Sequence, residues 1–163
     1  MNPNQLKEYI DRVLSNEISK YHSREAVYQI LFTAAAESDC GKYIRQVKGP
    51  AMGIFQIEPN SEKLVWKWAI KESEDFFEAL VNSSTGSIFS EDDLVGNIKY
   101  QIILARAYYY SWPNALPIIS DPIDKESIKR MAEYWKKYWN TEEGKGTVKG
   151  AIKKYKKFVG KKV

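Results

Sequence analysis

The chain has 163 residues, a net charge of +4 and a pI near 9.0, with 44% hydrophobic and 28% charged residues. That length is one domain's worth and can bury about 70% of its unfolded surface, which excludes a disordered or staple-dependent chain. One Cys and one His exclude an internal disulfide and leave too few soft ligands for zinc, so no metal or cofactor is expected.

The predicted elements run as follows. Met1-Asn2-Pro3-Asn4-Gln5 lacks the basic and apolar regions of a secretory signal, and no apolar run is long enough for a membrane span. Pro3 suits a first helical turn, and Leu6, Ile10, Val13, Leu14 and Ile18 repeat at helical spacing, giving a helix over 3–19. His22 falls in a surface turn. Ser23 is a good cap and Glu25 favours a first turn, so a second helix spans 24–39. A polar loop follows from Gly41 to Met52. Gly53 to Pro59 is predicted to be extended, because Glu58 precedes Pro, and a small β-hairpin between 43 and 57 is open. A helix from about 60 should bury Leu64, Val65 and Trp68, and a short one should cover 72–81. Residues 82–87 read as a loop. Ser90 caps a helix that carries Leu94, Ile98, Ile102, Ala105 and Tyr109 on one face and ends near Trp112-Pro113. Three prolines mark 113–123 as a connector. Asp124 caps a helix over 125–140, and Thr147 caps the last, which buries Val148, Ile152, Tyr155 and Val159. No repeat and no second domain are visible, so 1–163 reads as a single mainly α domain.

Glu37 is the first candidate for chemistry. Steps of three and four residues back from it reach Ala34, Thr33 and Ile30, on a face shared with Val27, Leu31 and Ala35. A carboxylate that continues an apolar stripe points toward the core or a cleft. Gly41 marks the helix end, where the negative end of the dipole and partial burial both raise a carboxyl pKa. That is what a general acid near neutral pH requires. The alternative is a Glu that curls back to solvent at a frayed terminus. Asp39, two residues on, should point away. Cys40 reads as a small packing residue.

Glu37-Ser38, a loop containing Gly49 and Pro50, and then Gly53-Ile54-Phe55-Gln56-Ile57-Glu58-Pro59 resemble the lytic transglycosylase and goose-type lysozyme group of peptidoglycan-cleaving enzymes. The Glu-to-Gln separation of 19 positions is close to that group's spacing, and the resemblance covers about residues 26–59. It implies a lysozyme-like fold with at most a small β-hairpin beside the cleft. It implies that Glu37 is the acid/base, and that Ser38 with Gly53, Ile54 and Gln56 holds the sugar. Asn97-Ile98 leading to Tyr108-Tyr109-Tyr110 loosely resembles another pattern of the group, which assigns Tyr109 to the substrate. The group's later Tyr-Asn-Ala-Gly segment is missing. Its nearest counterpart is Tyr138-Trp139-Asn140-Thr141, so Tyr134 and Tyr138 are equal candidates for the supporting tyrosine.

Glu58 stands where the group has a hydrophobic residue. It is a candidate second carboxylate, or a surface Glu favoured by the helix start that follows. From Gly144 onward there are eight Lys and no acid. Lys149, Lys153 and Lys156 or Lys157 form either a solvated face or a weak hold on anionic polymers.

The expected function is cleavage of the β-1,4 bond between N-acetylmuramic acid and N-acetylglucosamine, with peptidoglycan glycan strands as the partner. With Glu37 as the one carboxylate assigned to the chemistry, a lytic transglycosylase is expected. A muramidase-type hydrolase, and a non-catalytic virion or wall-binding module, are the alternatives. The absent signal points to a phage or prophage protein, either virion-borne among other virion proteins or an endolysin held in the host cytoplasm until lysis. A nucleic-acid-binding helical protein is a third reading that rests on charge alone; the base excess is small and concentrated in the last helix, so such binding should be weak and vanish with salt.

Overall fold

A computed structural model of the chain describes residues 1–86 and 88–160. It is mainly helical, with 65% helix, and most helices begin where a side chain satisfies a free amide. Asn2 accepts from Asn4 and Gln5 to open α1 (Pro3–Glu17), and Ser23 accepts from Ala26 to open α2 (Arg24–Ser38). Pro59 opens α3 (Pro59–Glu72) without a side-chain cap. Ser73 opens α4 (Glu74–Ser83). α5 (Glu91–Gly96) is one short helix, and Asn97 caps α6 (Ile98–Tyr110). Asp124 opens α7 (Lys125–Trp135), which widens into a π-helical turn over Lys136–Asn140. Thr147 opens α8 (Val148–Phe158). Each such cap is worth about 1 kcal/mol.

Two helices form the centre. Every residue of α2 from Ala26 to Ala36 is buried, and it is packed by α1, α6, α7 and α8. In α6 the run from Tyr100 to Ala107 is buried, and α1, α3, α4 and α5 lie against it. A helix apolar on all sides is an interior helix, so the single stripe expected for α2 understates its burial. Cys40 is a buried free thiol whose pKa burial pushes up to about 11, as its packing role requires.

Several expectations need correction. The first helix stops at Glu17, and Ser19–Tyr21 forms a 3-10 turn instead. α3 extends to Glu72, and α4 starts at Glu74 rather than 72. In α3 the buried face carries Glu62, Val65, Trp66 and Ala69, while Leu64 is 64% exposed. Trp66 turns inward because its indole donates to the Tyr100 hydroxyl at 2.8 Å, and that hydroxyl donates to Glu62. The single helix expected from Ser90 to Trp112 is broken at Asn97. Its side-chain amide donates to the Ser83 carbonyl and to Asp93, and its oxygen caps α6.

The segment from Gly53 to Ile57 is not extended. Gly53 and Gln56 have φ of 75° and 50°, and the Gln56 amide donates back to the Gly53 carbonyl at 3.2 Å. The hairpin reduces to two isolated bridges, Arg45 with Met52 and Met52 with Ile57. A Cβ on Gly53 would overlap the Leu94 carbonyl and the Gln101 amide, so this turn needs glycine for both its backbone and its close approach. No helix among the described residues is long and apolar enough to cross a membrane.

Candidate active site

The site starts at the C-terminus of α2. Asp39 and Cys40 take left-handed φ values of 54° and 58° and end the helix. The Cys40 amide donates to the Ala34 carbonyl, and the Lys42 amide to the Ser38 carbonyl. Ser38 Oγ donates to the Ile54 carbonyl at 2.6 Å and accepts from the Gly41 amide at 2.7 Å. The Ile54 amide donates to Gln101 Oε1 on α6 at 2.8 Å. The Gly53–Ile57 turn is thereby pinned between α2 and α6, directly beside Glu37.

Glu37, the penultimate residue of α2, is partly buried and lines a cleft of about 730 Å³. One wall is formed by Tyr43, Gln46 and Val47 with the Gln56–Glu58 segment. The other is formed by Tyr108, Trp139 and the 140–146 loop. That loop is stapled from below, since Lys136 Nζ donates to Asn140 Oδ1 and to the carbonyls of Thr141 and Gly144 at 2.7–2.8 Å. Gly146 lies against the Trp135 ring, where a Cβ would come within 2.6 Å of Cη2.

Trp135 and Lys154 act on the Glu37 carboxyl, and Tyr43 holds its backbone. Trp135 Nε1 donates to Glu37 Oε1 at 2.8 Å. Lys154 Nζ, from α8, donates to the Ala36 carbonyl at 2.8 Å and pairs with Asp39 at 3.3 Å. Tyr43 Oη donates to the Glu37 carbonyl at 2.8 Å. Burial raises the Glu37 pKa from 4.5 to about 7, against the indole bond and the Lys154 charge, which both favour the carboxylate. Burial wins. Glu62 is also raised by burial, but it faces Tyr100 and does not line the cleft.

The expected site residues divide. Glu37, Gln56 and Glu58 line the cleft together. Gln56 also donates its side-chain amide to the Gly53 carbonyl at 2.8 Å, and Glu58 is exposed. Ser38, Gly53 and Ile54 do not reach the cleft: Ser38 is fully buried and Ile54 is 2% exposed. They fasten the cleft wall: Ser38 Oγ and the Ile54 carbonyl bond each other, the Ile54 amide donates to Gln101, the Gly53 amide donates to the Ile44 carbonyl, and the Gly53 carbonyl accepts from Gln56. Tyr109 is correspondingly placed beneath Glu37, with its hydroxyl 2.7 Å from Thr33 Oγ1 and 3.4 Å from Gln29 Nε2. Tyr138 and Tyr134 pack with Tyr109 in a separate aromatic cluster, and Tyr134 donates to the Asn114 carbonyl. None of the three tyrosines lines the cleft. Asp39 turns to Lys154, away from the cleft, as expected.

Sequence reasoning missed Trp135, Lys154, Tyr108, Trp139 and Glu143. Trp135 falls on the apolar stripe of the 125–140 helix with Ile128, Met131 and Ala132, which reads as core, yet a buried indole N–H demands an acceptor. Lys154 was hidden in the lysine run, although it alone adjoins the buried Ala151 and Tyr155 of α8. Among the described residues no three His, Cys, Asp or Glu side chains gather as a metal-ligand group. No protein-family model, curated protein or solved structure matches this chain.

Proposed function

We propose that the chain cleaves the β-1,4 bond between N-acetylmuramic acid and N-acetylglucosamine in peptidoglycan, as a lytic transglycosylase on a lysozyme-like fold. The observation that carries this reading is Glu37: a carboxyl with a pKa of about 7, one oxygen held by Trp135, in a cleft of about 730 Å³, the size of a ligand site. The motif that runs from Glu37 through Gln56 supplies the substrate class. The two bridges beside the cleft agree with the small β element expected there.

The indole N–H occupies Oε1, so the acid proton resides on Oε2. From there it passes to the glycosidic oxygen as the bond to C1 of the muramic acid breaks. The muramic N-acetyl oxygen stabilises the cationic C1. The 6-hydroxyl oxygen then bonds to C1 while its proton returns to Glu37, which yields a 1,6-anhydro sugar and consumes no water. Burial matters because it keeps the acid protonated near neutral pH. Tyr108 and Trp139 offer aromatic faces along the same cleft.

A muramidase is the second reading, favoured by Glu58 and Glu143, which line the same cleft as Glu37. Digestion of purified wall, followed by mass analysis, tests the proposal. Muropeptides one water lighter than muramidase products, without a reducing end, support it. Ordinary reducing ends select the hydrolase, and intact wall rejects both.

A further inference from the structure

On the far side of α6 from the cleft is a recess of about 640 Å³, lined by Arg106, Tyr110, Trp112, Pro113, Leu116 and Ile118. Arg106 is only 7% exposed. Its Nε donates to the Tyr21 carbonyl at 2.9 Å, and its guanidinium lies 5.3 Å from the Tyr110 ring centroid. Among the described residues it has no carboxylate partner, and no acceptor meets either Nη. Guanidinium stays charged in proteins, and a buried charge without a counter-ion is costly. That cost lowers its pKa, with only tyrosines opposing. The recess mouth is apolar: Ile118 is 79% exposed and Trp112 is 40% exposed.

We propose that this recess binds a small monocarboxylate with an apolar or aromatic flank. The two Nη groups would meet the carboxylate, a planar group that matches the planar guanidinium. Tyr110, Trp112, Leu116 and Ile118 would cover the flank. The volume suits one small molecule. Glu25 lines the same recess and weighs against a dianion. The site is separate from the cleft, although Tyr108 on the cleft wall touches Trp112 in the recess, with ring centroids 6.4 Å apart. It stands or falls independently of peptidoglycan cleavage.

The test is a titration of the full isotope-labelled chain with N-acetylphenylalanine, its primary amide and inorganic phosphate, read at the Trp112 indole and Arg106 Nε–H signals. The carboxylate should move both signals saturably, and the amide and phosphate should not. Arg106 also anchors Tyr21, so rim variants carry the test. Glu25→Gln should tighten binding several-fold, and Ile118→Glu should weaken it about tenfold by placing a like charge at the mouth. Equal binding of acid and amide would show an apolar recess without anion recognition. Equal binding of phosphate would overturn the carboxylate class. Silence of both signals would leave Arg106 a purely structural residue. Each of these three outcomes overturns the proposal.

Discussion

Trp135 Nε1 donates to Glu37 Oε1 across 2.8 Å, joining residues 98 positions apart in the chain. The bond restricts the carboxyl without neutralising it, because an indole can only donate. Oε1 is therefore fixed in both protonation states, and Oε2 is left for a ligand. Burial holds the pKa at about 7 even though the indole and Lys154 favour the anion. Small changes around Glu37 should therefore be visible in the pH profile of activity.

Trp135→Phe keeps an aromatic ring and removes the donor. A hydrogen bond to a charged group contributes about 1.5–3 kcal/mol, so its loss should move the Glu37 pKa up by about one unit or more. As the proposed acid, Glu37 is active when protonated, and activity falls as pH rises through its pKa. The alkaline limb of wall cleavage should thus move to higher pH, while the maximal rate drops because Oε2 is no longer aimed. An unmoved limb would show that the indole does not tune the acid.

Glu37→Gln should abolish cleavage and stabilise the fold at neutral and alkaline pH. Between pH 4.5 and about 7 the native carboxyl keeps a proton that the unfolded chain has released. Parental stability therefore falls as pH rises across that window and stays lower above it. Gln carries no such cost and can still accept from Trp135. Above pH 7 the variant should be more stable by about 3 kcal/mol, or roughly 6–12 °C in Tm. Below pH 4.5 the two proteins should melt together. Melting curves across this range check both statements.

The helix starts were legible because Ser23, Asp124 and Thr147 announce themselves locally as caps. Glu37 was legible because apolar periodicity reports which face a residue joins. The Gly53–Ile57 turn was not, since the positive φ at Gln56 belongs to a turn that Ile54 ties to Ser38 and Gln101, both distant in sequence. The break at Asn97 was hidden for the same reason: its amide bonds to Ser83, a contact that helical periodicity cannot carry. Tyr109 was expected at the substrate only because Asn97-Ile98 and the run of three tyrosines loosely resemble a pattern of the lytic transglycosylase group. The outward one is Tyr110, at 47% exposure, and Tyr109 is fully enclosed.

Ser38→Ala tests the division between wall and site. The substitution strands the buried Ile54 carbonyl and the Gly41 amide, each bonded to Ser38 Oγ. Leaving such groups unpaired costs about 1–3 kcal/mol each, so urea unfolding should show a loss of about 2 kcal/mol or more. KM, measured where the variant is still folded, should change little. A raised KM with unchanged stability would instead make Ser38 a sugar contact.

Under the proposed function, variants of Glu58 and Glu143 separate the two reaction types. A retaining hydrolase needs a second carboxyl about 5 Å from the acid, and an inverting one needs a base about 6.5–9.5 Å away with room for water. Both residues line the cleft and both are exposed, but their settings differ. Glu58 is the N-cap of α3, where the helix dipole favours a carboxylate. Glu143 rides on the loop stapled by Lys136. In a transglycosylase the sugar's own 6-hydroxyl attacks, so neither carboxyl takes part in the chemistry. Glu58→Gln, Glu143→Gln and the double variant should then keep product release within a few-fold of the parent and still yield anhydro ends. In a hydrolase one of the two single variants should be as inactive as Glu37→Gln, because losing the nucleophile or base removes a step that the acid cannot replace. Glu58 is the stronger candidate for that base, since the start of α3 holds its backbone beside Gln56 on the wall facing Trp139.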